Sequence, residues 1–173
     1  MPTTPATPPL RLGDELTRFL EGPNSIVVGT QDGSGNPECV PGVALRCAPN
    51  EGKVTVWIPS GVATRTASNL AADPRLAVAA QLPAQHKTRQ LKGVAVTVGP
   101  APPDRESLLA AAFEALLEQC ASIGLPRRLL SRVAYWPALE ITVEVHAVFD
   151  QTPGPGAGQP LDPRTPSPPG GPS

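Results

Sequence analysis

A chain of 173 residues, 40% hydrophobic but only 3% aromatic, has the apolar content of one folded domain whose core must come from Val, Leu, Ile and Ala. Its formal net charge of −1, with no clustered basic stripe, argues against a nucleic-acid or anionic-membrane partner. No apolar run approaches the ~18 residues of a transmembrane helix, and the start MPTTPATPPLRLGDEL lacks the charged opening and apolar centre of a signal peptide, so a cytoplasmic location is expected.

Proline marks the ends. Four of the 24 prolines fall in the first nine residues and eight between Pro153 and Pro172. The expected organisation is a disordered N-terminal segment (1–9), a folded domain (10–150) and a Pro/Gly-rich C-terminal extension (151–173). Cys39, Cys47 and Cys120 are odd in number and far apart, which reads as reduced thiols. Two histidines and no CxxC pair give no basis for a metal site.

In chain order, residues 13–21 predict a short helix with Leu16, Phe19 and Leu20 on one face, ended by Gly22-Pro23. Residues 25–30 and 38–47 predict a hairpin around the turn 31–36, with Pro41-Gly42 marking an edge or bulge in its second strand. Residues 53–58 form the third strand. A helix over 62–73 carries Ala63, Ala67, Leu70 and Ala71 on one face, and Pro74 ends it. Residues 76–82 read as a central strand. Residues 88–98 read as a fifth, with Gln90, Lys92, Val94, Val96 and Val98 on one face. A helix from Pro102 to about Ser122 presents Leu109, Phe113, Leu116 and Cys120, and a shorter one follows over 126–135. The last strand, 139–149, alternates Leu139, Ile141, Val143, Val145 and Ala147 against Glu140, Thr142, Glu144 and His146. Six strands with flanking helices and early hairpins predict a small barrel with helices packed outside.

The stretch WIPSGVATRTASNL (57–70) carries the most chemistry. A strand ends at Pro59, Ser60 and Gly61 turn the chain, and a helix begins at Thr64-Arg65-Thr66. Unpaired amides at a helix start, hydroxyls and a guanidinium together suit a phosphate. The same residues also suit plain capping by Ser60 or Thr64 with Arg65 solvated. Gln90 and Lys92 project together from the fifth strand, and an amide can serve the donor and acceptor edge of a heterocycle. Arg46 closes the second strand as a further cation or as an ordinary exposed strand end.

The order of these pieces, FLEGPNSIVVGT, VTVWIPSG, RTASNLAADPRLAV and RQLKGVAV, resembles the flavin-binding core of the pyridoxamine 5′-phosphate oxidase-like family. The resemblance implies a six-stranded antiparallel split β-barrel with flanking helices that binds FMN between the subunits of a homodimer. It places Thr64, Arg65, Thr66 and Arg46 at the phosphate, and Gln90 and the backbone near Pro59 at the ring. Hydride or electron transfer between FMN and a nicotinamide or small organic substrate is the implied reaction.

The departures point elsewhere than pyridoxamine phosphate. Pro41 stands where the family has an Arg, Thr66 replaces a second cation, and the C-terminal Arg-x-His motif is missing. Related split barrels bring the deazaflavin F420 and haem into consideration, with His86 or His146 as a haem ligand and a non-catalytic carrier as the other functional class. PGPGAG (153–158) reads either as a linker or as a fixed loop over the cofactor or a partner subunit.

Overall fold

A computed structural model describes residues 10–164; the expected disorder of 1–9 and the last part of the extension, 165–173, lie outside the described residues. The helix α1 (Asp14–Leu20) buries Phe19 and Leu20. Asn24 closes it, donating its side-chain amide to the carbonyls of Phe19 at 2.6 Å and Leu20 at 3.3 Å, so the last orphan carbonyls of the helix are satisfied. All six expected strands are present. They form one antiparallel sheet with two additions, and eight strands result: β1 (Ser25–Gln31), β2 (Pro37–Gly42), β3 (Ala44–Ala48), β4 (Lys53–Pro59), β5 (Arg75–Gln81), β6 (Thr88–Pro100), β7 (Ala138–Asp150) and β8 (Pro160–Leu161).

The sheet runs β2-β1-β5-β6-β7-β4-β3, with β8 added to β7. Its two ends are one stretch of chain. The expected second strand divides at Val43, so that β2 pairs with β1 and β3 with β4. The chain therefore passes from one sheet edge to the other, and Val43 donates its amide to the Trp57 carbonyl at the crossing. Gly42 permits this passage, because a Cβ there would meet Cγ2 of Ile26 at 2.5 Å. The result is a split barrel that is bent around its core without closing as a continuous ladder.

Inside lie Ile26, Val28, Leu45, Val54, Val56, Ile58, Val78, Leu91, Ile141, Val143 and Val148, all buried. The alternation predicted for the strands holds through most of their length, since a period of two is what a half-buried sheet requires. Two bulges break it. The register of β6 on β7 shifts between Lys92 and Gly93 and again between Ala95 and Thr97. Residues 90 to 98 consequently do not present the single face expected of them, and His146 falls opposite no partner between Val145 and Ala147.

Outside the barrel, α2 (Thr64–Ala72) follows a single turn at Ser60–Val62 and packs on β1, while α3 (Glu106–Ser122) buries Leu109, Leu117 and Cys120. Leu117 takes the place expected of Leu116. A second apolar cluster of Val43, Ala44, Trp57, Leu109 and Ala138 receives α3, with Phe113 and Tyr135 stacked at 5.5 Å between ring centres. The final helix α4 is one turn, Arg127–Leu130, shorter than expected. Among the described residues no helix is long and apolar enough to cross a membrane.

Residues 151–164 turn back onto the barrel. Gly158 donates its amide to the carbonyl of Asp150 at 2.6 Å and Asp150 donates its own to the carbonyl of Gln159 at 2.9 Å, β8 pairs with Val148 and Phe149, and Gly13 donates to the carbonyl of Pro163 at 2.8 Å. Leu161 packs against the main core.

Cys47 lies between α1 and the barrel, where burial first and the Glu21 carboxylate second push its thiol up to about 12 from an ordinary 9.0. Above pH 9 the unfolded chain ionises this thiol and the folded chain does not, so stability falls as pH rises and levels off near 12. The expected slope is about 1.4 kcal/mol per pH unit. Urea denaturation of the wild type and of Cys47→Ala between pH 8 and pH 11 checks this: the variant loses that part of the slope, and parallel curves would contradict it.

Candidate functional site

The outward face of β1, β2, β5 and β6 forms an open groove of about 600 Å³. Its floor follows from the register. Cys39 opposes Gly29, Gly29 opposes Ala77, Ala77 opposes Lys92, and Lys92 opposes Ala147. Gly29 and Ala77 leave no long side chain standing on this part of the row, so a flat molecule can approach the backbone closely as far as Lys92. Glu38, Arg75, Lys92 and His146 supply polar groups at its margins. The next row holds Pro41, Val27, Ala79, Gln90 and Phe149. Val27 there is 42% exposed although it is a large aliphatic residue in a sheet centre.

The bulge after Lys92 builds the groove wall. An extra residue in one strand re-aims its side chain, and here that residue is His146, which lines the groove beside Glu144 at 3.3 Å. Lys92 lies over the ring of Phe149, with Nζ 4.9 Å from its centre. Gln90 accepts from the side-chain amide of Gln151 at 3.3 Å, so the first residue of the Gly/Pro loop is tied to the same face. Arg75 and Gln31 hold the Asp73 carboxyl far below the usual carboxylate range, Arg75 contributing more.

The expected site residues fall in three places. Lys92 lines the groove, and Gln90 stands one row away on the same outward face. Thr64, Arg65 and Thr66 open α2 and do not line the groove; Thr66 is linked to its margin through Glu38. Thr66 is 0% exposed and donates its hydroxyl to Oε2 of Glu38 at 3.1 Å. Arg65 is exposed and faces Asp32 of the β1–β2 turn at 3.8 Å, a distance at which a solvated pair contributes little. Thr64 is exposed, and no side chain caps α2.

Four further candidates are not brought to the groove either. Pro59 is buried and paired with Ala138, and Ser60 uses its amide on the carbonyl of Pro137 at 2.8 Å. Arg46 stands on a separate outward row, Thr97-Thr142-Thr55-Arg46, three strands away from β6 at about 4.8 Å per strand. Among the described residues its guanidinium reaches the carbonyl of Leu45, at 3.4 Å. His86 occupies the β5–β6 turn with φ 55, a left-handed position outside the groove.

Sequence reasoning overlooked Glu38, which lines the groove and binds both Thr66 and Asn69, the latter at 3.3 Å. Its one legible signal is its place opposite Thr30 in the hairpin. Asn69 donates to that threonine's hydroxyl at 2.9 Å.

These features define an antiparallel split barrel with a cofactor-sized groove on its outer face. The model of the pyridoxamine 5′-phosphate oxidase family matches residues 12–144, and this chain belongs to that family. Among solved structures it is similar to a putative pyridoxamine 5′-phosphate oxidase from Lactobacillus delbrueckii, with 14% identity, 84% of this chain and 97% of that one covered, and a TM-score of 0.50. An FMN-binding protein from Syntrophomonas wolfei matches at 8% identity over 79% and 84%, TM-score 0.48. HutZ, a haem storage protein from Vibrio cholerae, matches at 19% identity over 82% and 95%, TM-score 0.42. No curated protein sequence matches the chain.

Proposed function

We propose that this protein binds a flavin on the groove and, as a homodimer, transfers hydride or electrons between it and a nicotinamide or small organic substrate. The observation that carries the reading is the bare row Cys39-Gly29-Ala77-Lys92, a flat bed closed at one end by a cation. An isoalloxazine ring is flat, apolar on its faces and rich in acceptors at its edge. Lys92 is the cation for that edge, and the Gln90–Gln151 amide pair offers donors and acceptors beside it. A bound flavin supplies the electron chemistry, and the chain supplies the bed, the charge and the orientation.

A second copy of the chain is the proposed cover for the remainder of this face, where Val27 and Pro41 lie open beside the half-buried Ala79. The ring half of FMN fits the residues present. The phosphate half fits less well, because the buried donors of α2, Thr66 and Asn69, are directed at the Glu38 carboxylate.

Two measurements test the reading. Turnover of a reduced nicotinamide by the flavin-loaded protein supports the transfer reaction, and a loaded protein inert towards every reduced nicotinamide counts against it. Gln90→Ala is expected to shift the bound flavin's absorbance maximum while leaving the melting temperature unchanged, and an identical spectrum would remove Gln90 from the site.

Haem is the second reading, favoured by the bulge that turns His146 into the groove near Lys92 and Arg75. One imidazole and two cations suit an iron porphyrin and its propionates. A Soret band abolished by His146→Ala would move the assignment to haem.

A further inference from the structure

We propose that Glu38 stands in for the cofactor's phosphate, so that the groove selects a flavin whose tail carries no phosphate; this rests on the flavin reading above. The donors that could grip a phosphate at the start of α2 are Thr64, Arg65, Thr66 and, one turn on, Asn69. A hydroxyl has one proton to give, and that of the buried Thr66 goes to Oε2 of Glu38 at 3.1 Å. Asn69 has two, and they go to Thr30 at 2.9 Å and to the same Glu38 oxygen at 3.3 Å. Arg65 faces a second carboxylate, Asp32. The exposed hydroxyl of Thr64 and the solvated guanidinium of Arg65 are left among these side chains, while both buried donors, Thr66 and Asn69, are committed to partners within the chain.

Charge leads to the same conclusion. Glu38 is half-buried and, among the described residues, no cation lies within ion-pair distance of it; both its partners are neutral. A phosphate monoester adds a charge of about −1.5 to −2. Set beside Glu38 it meets a like charge, and the neighbouring guanidinium of Arg65 already has the Asp32 carboxylate facing it at 3.8 Å. A hydroxylated, uncharged tail meets the opposite situation. Oε1 of Glu38 accepts no hydrogen bond from the described residues, which leaves it to accept one from a ribityl hydroxyl. Glu38 thus engages the buried donors of α2 and presents an acceptor for alcohols in their place.

The test compares riboflavin with FMN by quenching of flavin fluorescence on the full chain and on Glu38→Gln. Glutamine keeps an oxygen for Thr66 and Asn69, removes the charge and turns the second acceptor into an amide donor. The wild type is expected to bind riboflavin at least as tightly as FMN, and Glu38→Gln to move the ratio about tenfold towards FMN. FMN bound more tightly than riboflavin by the wild type overturns the inference and leaves the flavin reading standing. A natively melting Glu38→Gln with the wild-type ratio also overturns it. Failure of both flavins to bind overturns the flavin reading itself.

Discussion

Arg89→Met is expected to lower the folding free energy by about 3 kcal/mol, the low end of the range for breaking a buried ion pair. Arg89 is 5% exposed, and its Nη1 donates to Oδ1 of Asp150 at 2.7 Å, to Oγ1 of Thr152 at 3.1 Å and to the carbonyl of Thr88 at 3.1 Å. Its guanidinium lies 5.7 Å from the ring centre of Phe19, so it also ties α1 to the barrel. The low end applies because Asp150 keeps 27% of its side chain in water. Asp150 additionally accepts the amide of Thr152 at 2.8 Å, so the pair anchors the start of the Gly/Pro loop. A lower urea midpoint, with faster proteolysis within 151–161, is the expected result. The double variant Arg89→Met/Asp150→Leu should recover much of the loss, since no charge is then left unpaired. A loss below 1 kcal/mol would show that the pair is a solvated one.

Gly93→Ala is expected to cost a similar amount, about 3 kcal/mol, by overpacking. A Cβ at this position would lie 2.0 Å from the carbonyl oxygen of Glu144 and 2.9 Å from its carbonyl carbon. Those are backbone atoms of β7 at the bulge, which cannot swing aside as a side chain can. The two longest strands must then separate or re-register, and either change moves His146 and Lys92 away from the groove. A melting temperature lower by roughly 10 °C, with loss of flavin binding, is the outcome expected. A variant that melts with the wild type would show that the strands part there at no cost.

The strands were legible because the sequence alternates wherever one face meets the core, and because the Asp32-to-Asn36 turn is written in residues that hydrogen-bond their own backbone. Pro41-Gly42 announced an interruption. It did not announce that the chain changes sheet edge there, which depends on Ile26 and Trp57 far along the chain. β8 is two residues long in proline-rich sequence and carries no periodicity.

For the site, a period of two was enough to place Gln90 and Lys92 on one face. It failed beyond Lys92 because a bulge inserts a residue that leaves no pattern in composition, and His146 changed role for the same reason. Arg46 stands on a row away from the groove because strand order, and not strand content, decides which rows are neighbours. The start of α2 was found at its true position, but its meaning was set by Glu38 from the opposite side of the hairpin.

The most direct test of a flavin groove is an absorbance spectrum of the purified protein after incubation with riboflavin or FMN and removal of the excess by gel filtration. Retention of about one flavin per chain, with its twin absorbance bands shifted and its fluorescence quenched, is the result expected, and the Lys92→Ala variant should retain less. A protein that emerges colourless from riboflavin, FMN and F420 alike would contradict the assignment of the groove to a flavin.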